Sequence, residues 1–250
     1  MERGICASMA KARGNSLFWI GGITVLMSTA IVLVEVLISF LPGLPRVAPE
    51  KLTAIDWFTL FQSHWFLGLR NLGLLNLIGA ALLVPTFLAM RSALRRDNRA
   101  LGMLSTVLFF SGLAAYYLSN RAFEMLSLSS QYAGATTDLQ RSLLVAAGEG
   151  TLARGQGRAG LLLIEIAGLV ISAAMLRGRA FSKATAYAGI LGNLLLIVVE
   201  VILALERRLP SAGMAVAVCG GLSIITWYVL VGGRLLKLGA TPEGQVSSLA

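Results

Sequence analysis

Glu35, Glu165 and Glu200 each interrupt a run of Leu, Ile, Val and Ala long enough to cross a bilayer. A carboxylate at that depth costs at least about 2.5 kcal/mol to insert, so it faces a protein interior, a partner charge or a wet cavity. No other feature constrains the chain as much, because its apolar segments must assemble around these polar positions. Composition agrees with this reading. Of 250 residues, 56% are hydrophobic and 13% charged, with a mean hydropathy of +0.78, whereas soluble domains carry about 25% charged residues.

The expected fold class is therefore all-α, a polytopic six-helix transmembrane bundle forming a single domain over 1–250. The six segments cover roughly 17–41, 66–90, 101–119, 159–176, 185–205 and 213–235, against about 20 residues needed per crossing. The first follows Arg3, Lys11 and Arg13 as a signal peptide would. Its apolar stretch is too long for that role, carries Glu35 and lacks a small-residue cleavage site, so it reads as a retained span.

Basic residues alternate between the connections. Arg91, Arg95, Arg96 and Arg99, then Arg177, Arg179 and Lys183, then Arg234 and Lys237 fall on the same side as the N-terminal tail. The positive-inside bias puts that side, with both termini, in the cytoplasm. The other connections balance Arg46 and Lys51 with Glu50 and Asp56, and Arg207 and Arg208 with Glu206. The net charge of +9 thus reads as topology-setting charge in contact with membrane lipids, and not as a nucleic-acid surface. Cys6 and Cys219 fall at different depths, which argues against a disulfide.

Two outer connections carry helical signals of their own. Thr53-x-x-Asp56 is a capping box, followed by Trp57, Leu60, Phe61, His64 and Trp65 at helical spacing. Thr137-x-x-Gln140 precedes Leu139, Leu143, Ala146 and Ala147 on one face. Both helices either pack at the interface or close over the bundle as lids. His64, the single histidine, reads as an interfacial residue, and Pro85 is expected to kink the second span.

Residues seven apart share a helix face, and polar residues recur at that interval. The first span aligns Thr24, Ser28, Glu35 and Ser39; the third aligns Ser105, Gly112, Tyr116, Asn120 and Glu124, with Arg121 one step round. The fourth offers Arg158, Glu165 and Ser172, the fifth Gly189, Asn193 and Glu200, and the second, less regularly, Arg70, Asn71, Gly73 and Asn76. Followed through the topology, the ionisable members all fall in the outer half. The candidate ligand-binding residues are accordingly Glu35, Arg70, Asn71, Asn76, Asn120 and Arg121, together with Glu124, Glu165, Asn193 and Glu200. Arg70 and Arg121 are natural partners for two of the glutamates. The competing reading is that these contacts only specify how the helices pair.

A lone histidine excludes multi-histidine metal sites, and neither a GxSxG elbow nor a P-loop occurs. Lys11, Lys51, Lys183 and Lys237 all lie outside the span cores, which leaves no lysine for a retinal Schiff base. No cofactor and no metal are expected, although Glu35, Glu124, Glu165 and Glu200 keep a carboxylate-clustered site formally open.

The stretches Tyr117-Leu-Ser-Asn120-Arg121-Ala-Phe-Glu124, Gln131-Tyr-Ala-Gly-Ala-Thr-Thr-Asp138-Leu-Gln-Arg141 and Ala146-Ala-Gly-Glu149 resemble a family of small bacterial multi-pass proteins known as domain of unknown function 4386. The resemblance runs from about span two to span five. It implies a six- or seven-helix protein of the bacterial inner membrane and brings no substrate, cofactor or catalytic residue. The function expected is non-enzymatic: an outward-facing polar cavity that binds or translocates a small ligand or senses lipid. Two alternatives stay open, an intramembrane enzyme using the carboxylates on a lipid substrate and a structural or assembly subunit.

Overall fold

The structure, a computed structural model, describes residues 2–40, 52–95, 97–153, 157–206 and 209–240. Arg46, Glu50, Lys51, Arg96, Arg207 and Arg208 of the charge pattern lie outside the described residues, as do the side chains of Arg3, Lys11, Arg13, Ser39 and Glu206. The described residues form nine helices and no strand: α1 (Glu2–Phe40), α2 (Ala54–Asn71), α3 (Leu74–Ala93), α4 (Arg99–Leu118), α5 (Ala122–Gly134), α6 (Asp138–Ala153), α7 (Arg158–Arg177), α8 (Lys183–Glu206) and α9 (Ser211–Ala240). Six stretches are long and apolar enough to cross a membrane, carried by α1, α3, α4, α7, α8 and α9. The chain is a multi-pass membrane protein with an all-α fold.

The six spanning helices close into a ring. α1 packs on α3, α3 on α4, α4 on α7, α7 on α8, α8 on α9, and α9 returns to α1. Ring neighbours are consecutive spans, although the α1–α3 connection carries α2 and the α4–α7 connection carries α5 and α6. Lipid tails are as apolar as leucine, so helices in a membrane gain little from burying leucine against one another and associate instead through close backbone approach and hydrogen bonds. The α4–α7 seam shows both. A Cβ placed on Gly160 would lie 2.5 Å from the Tyr116 backbone nitrogen, and one on Gly112 would lie 2.8 Å from the Gly160 carbonyl oxygen. Beside them Ser105 Oγ donates to the Ala167 carbonyl at 2.8 Å. On the α1–α3 seam Thr86 Oγ1 donates to the Gly21 carbonyl at 2.9 Å, and Ser28 Oγ to the Gly79 carbonyl at 3.1 Å. Thr24 and Ser28 of the stripe predicted for the first span therefore face α3.

An apolar core fills one end of the ring, the end carrying the α7–α8 turn. Phe87 and Phe109 stack with centroids 4.0 Å apart, surrounded by Met90, Ile171, Met175 and Trp227, all buried.

The expected second span needs correcting. Residues 66–71 are the end of α2, and the crossing helix starts at Leu74. Gly73 has φ +93°, a left-handed conformation that glycine adopts without the steric cost a Cβ brings. Leu72 N–H still donates to the Gly68 carbonyl and Gly73 N–H to the Arg70 carbonyl, so α2 closes at that glycine and the chain turns. Phe66, Leu67 and Leu69 keep the hydropathy high across the turn, which is why the apolar run conceals it. The helix continues through Pro85.

At the other end of the ring α2, α5 and α6 pack on one another as a cap. α5 and α6 contain 13 and 16 residues, too few for either to cross alone. Both expected capping boxes are present. Thr53 N–H donates to Asp56 Oδ2 at 2.9 Å while Asp56 N–H donates to Thr53 Oγ1 at 3.3 Å. Thr137 N–H and Gln140 N–H make the same reciprocal pair with each other's side chains. Trp57, Phe58 and Phe61 are buried with Met125 in a core separate from that of the ring. The face of α6 expected to pack turns outward, with Leu139 70% and Leu143 62% exposed. The contacting face carries Gly148, which lies directly against Ala54 and Phe58. Periodicity identifies an amphipathic helix but not the side its neighbours cover, and here the bare glycine permits the closer approach.

A central cavity as candidate functional site

Between the ring's apolar core and the cap lies a cavity of about 340 Å³ to which all six spanning helices contribute. Its polar wall comprises Ser28, Asn76, Tyr116, Glu165 and Asn193; its apolar wall includes Phe87, Trp227, Tyr228 and Ile224. The predicted stripes deliver these residues: Ser28 from α1, Tyr116 from α4, Glu165 from α7 and Asn193 from α8 each sit at the inward phase.

The three glutamates occupy different surroundings. Glu35 accepts a hydrogen bond from the Asn76 side chain and has the Arg70 guanidinium as its neighbouring cation. Glu200 has Arg158 as its neighbouring cation, though its Oε2 is covered without a hydrogen-bond partner. Glu165 lines the cavity, the charge acting on it is that of Glu200, and its Oε2 is likewise covered without a hydrogen-bond partner. A covered polar atom left unpaired costs about 1–3 kcal/mol, more if charged. Among the described residues that line the cavity, Glu165 is the one carboxylate. Tyr228 lies near Glu165, and Tyr116 near Glu35 and Glu200.

The expectation that these charges are buried also needs correcting. Among the described residues none of the charged candidates is fully buried: Glu35, Arg70, Arg121, Glu165 and Glu200 are half-buried, as are Asn71 and Asn120, while Asn76 and Glu124 are exposed. Asn193 alone is buried, at 4% exposure. Its Nδ2 donates to the Gly189 carbonyl at 2.7 Å, and its amide packs on Gly168, where any Cβ would collide with it. Sequence position gives depth along a helix, whereas coverage depends on what the neighbours supply, and here they surround a space.

Three candidates belong to the cap instead. Asn120 Oδ1 accepts from the Ala122 N–H at 2.9 Å, capping α5, and its Nδ2 approaches the Leu72 carbonyl at 3.5 Å. Arg121 donates to the Leu152 carbonyl of α6. Glu124 Oε1 accepts from Thr151 Oγ1 at 2.9 Å. The stripe through Asn120 and Glu124 is therefore not one continuous face: α4 ends at Leu118 and α5 restarts at Ala122. Glu149 joins the same set, accepting from the Ala54 N–H at 2.7 Å at the start of α2.

Arg158, Tyr116, Trp227 and Tyr228 enter the site without having been singled out as candidates. Arg158 and Tyr116 did stand in the seven-residue stripes, and Arg158 lies one such interval before Glu165. Trp227 and Tyr228 sit in α9 among apolar residues, where periodicity gives an aromatic ring no mark. A smaller pocket of about 100 Å³ adjoins the cavity and shares Asn76, Tyr116 and Leu161 with it, lined further by Gly73, Asn120 and Arg121. It places the base of the cap next to the polar wall. Among the described residues no group of three or more His, Cys, Asp or Glu side chains is close enough to hold a metal ion. No family model, curated protein or solved structure matches this chain.

Proposed function

We propose that the central cavity binds a small organic molecule with an apolar body and one cationic or strongly hydrogen-bond-donating group, and that the protein binds or carries such a ligand in a bacterial inner membrane. The position of Glu165 as the one carboxylate among the described residues lining the cavity, with Glu200 as the charge acting on it, carries this reading. A cationic or donor group on the ligand supplies that carboxylate with a partner, while the aromatic rings of Trp227, Tyr228 and Phe87 in the wall favour a cation by their quadrupoles. The volume falls within the range of small-molecule sites.

Arg91, Arg95, Arg99, Arg177, Arg179, Lys183, Arg234 and Lys237 gather at the end of the ring away from the cap. The positive-inside bias makes that end and both termini cytoplasmic and the cap outward-facing. The likeness of 117–149 to the bacterial multi-pass family supports the same membrane.

The test uses purified protein and a series of tetraalkylammonium ions from tetramethyl to tetrabutyl. Saturable binding of one size class is expected, weakened at least tenfold by Glu165→Gln and by less than threefold by Glu35→Gln. Equal binding by wild type and Glu165→Gln overturns the proposal, and flux into proteoliposomes then separates carriage from binding alone.

A structural reading has its own support at Glu35 and Glu200, whose neighbouring arginines suit a role in helix pairing. An intramembrane enzyme would have to use Glu165 and Glu200 for acid–base chemistry, and turnover of lipid extracts by purified protein tests it.

A further inference from the structure

At the end of the ring opposite the cap, a groove of about 450 Å³ opens between the α7–α8 turn and the last third of α9. Arg179, Arg234 and Lys237 line it with the hydroxyls of Ser182 and Thr185, and no carboxylate is among its described lining residues. The cations come from two separate elements. Arg234 Nε donates to the Ala180 carbonyl at 2.6 Å, which fixes the guanidinium across the groove. Ser182 Oγ accepts from the Thr185 N–H at 3.2 Å, so the start of α8 also opens here and adds the partial positive charge of a helix N-terminus. Asp97 lies nearby, its Oδ2 accepting from the Arg179 backbone N–H at 2.9 Å.

The same groove has an apolar border. Val229 is 48% and Leu230 38% exposed, both on α9, one of the helices able to span the membrane. A free anion would use the cations and leave this border uncovered. We propose that the groove holds the phosphate of an anionic phospholipid, its headgroup on Arg179, Arg234 and Lys237 and its acyl chains along Val229 and Leu230. This site is independent of the central cavity.

The experiment is native mass spectrometry of the detergent-purified full chain, offered equal amounts of phosphatidylglycerol and phosphatidylcholine. One phosphatidylglycerol should be retained in at least tenfold preference. Basic residues near an anionic lipid surface contribute enough that removing each should cost about fivefold, so Lys237→Gln should reduce the preference about fivefold. Arg179→Gln combined with Lys237→Gln should abolish it. Arg95→Gln, an exposed arginine outside the groove, should leave it unchanged. The proposal is overturned if the double variant keeps the preference, or if Arg95→Gln reduces it as much, since the effect is then general charge. Displacement of the lipid by inorganic phosphate at equal concentration also overturns it, making the occupant a free anion. Should the double variant fail to fold, the wild type decides: retention that does not weaken as NaCl rises is not held by these cations.

Discussion

The cap and the ring are built from the same chain by opposite means. The cap buries Trp57, Phe58 and Phe61 in a core of large rings, each contributing about 1.5–3 kcal/mol wherever water is the alternative. The ring holds its seams with Gly112, Gly160, Ser105 and Thr86, small groups that permit backbone approach where burial of leucine earns little. The difference explains where the empty space lies. A core of rings can fill itself; a ring of helices joined at glycine seams leaves its centre to whatever side chains project there. In the half nearer the cap these are Glu165, Asn193 and Tyr116.

The largest expected effect breaks the ring. Gly160→Val puts branched carbon where even a Cβ would lie 2.5 Å from the Tyr116 backbone nitrogen. Backbone cannot swing aside as a side chain can, so the cost should reach or exceed about 3 kcal/mol. Loss of the monodisperse peak in size-exclusion chromatography is the expected outcome. A normal peak and melting temperature would show that α4 and α7 are not packed this way.

Next comes a variant confined to the cap. Phe58→Ala should destabilise the cap by about 3–5 kcal/mol and leave the ring assembled. The expected signature is faster proteolysis and amide exchange in α2, α5 and α6, with unchanged protection in α3 and α9. Global unfolding instead would mean that the two regions form a single cooperative unit and that the contrast drawn between them fails energetically.

Much of this contrast was legible in the residues. Seven-residue spacing correctly turned Ser28, Tyr116, Glu165 and Asn193 toward a common interior, because helix phase is a local property. The capping boxes at Thr53 and Thr137 were legible for the same reason. What stayed hidden depends on partners distant in sequence. Nothing local separates Glu35, beside Asn76 and Arg70, from Glu165, whose outer oxygen has no partner. The break at Gly73 was hidden by apolar residues on both sides. The conspicuous 117–149 pattern encodes the cap: Asn120 caps α5, Glu149 holds the start of α2 and Gly148 admits Phe58. That stretch thus supplies the scaffold, while the cavity draws on residues spread through all six spans.

A smaller effect sharpens how the cavity is shaped. Asn193→Leu removes the amide that donates to the Gly189 carbonyl and forces a branched side chain toward Gly168. Overpacking of this kind costs about 1–3 kcal/mol. The melting temperature should fall modestly, and tetraalkylammonium binding should shift toward smaller ions. An unchanged size preference would place the ligand away from this wall.

The smallest effect lies at the entrance to the cap. The Thr53 hydroxyl and backbone N–H donate to the Asp56 carboxylate and hold its pKa below the usual value of 3.8. A carboxyl whose folded pKa is depressed adds stability that is fully present above its unfolded pKa and lost as pH falls through the folded one. The contribution should therefore be constant at neutral pH and disappear below about pH 4. Thr53→Ala removes the hydroxyl donor, costs about 1 kcal/mol as the loss of an N-cap does, and should flatten that acid-side dependence. Amide exchange in the first turn of α2, followed from pH 6 down to pH 3 in wild type and variant, measures it. Because Asp56 is fully exposed, raised salt should weaken only the charge-dependent part of the effect. If the acid-side loss persists undiminished in Thr53→Ala, the hydroxyl does not hold the Asp56 carboxylate, and the Thr53 backbone N–H alone fastens the first turn of α2.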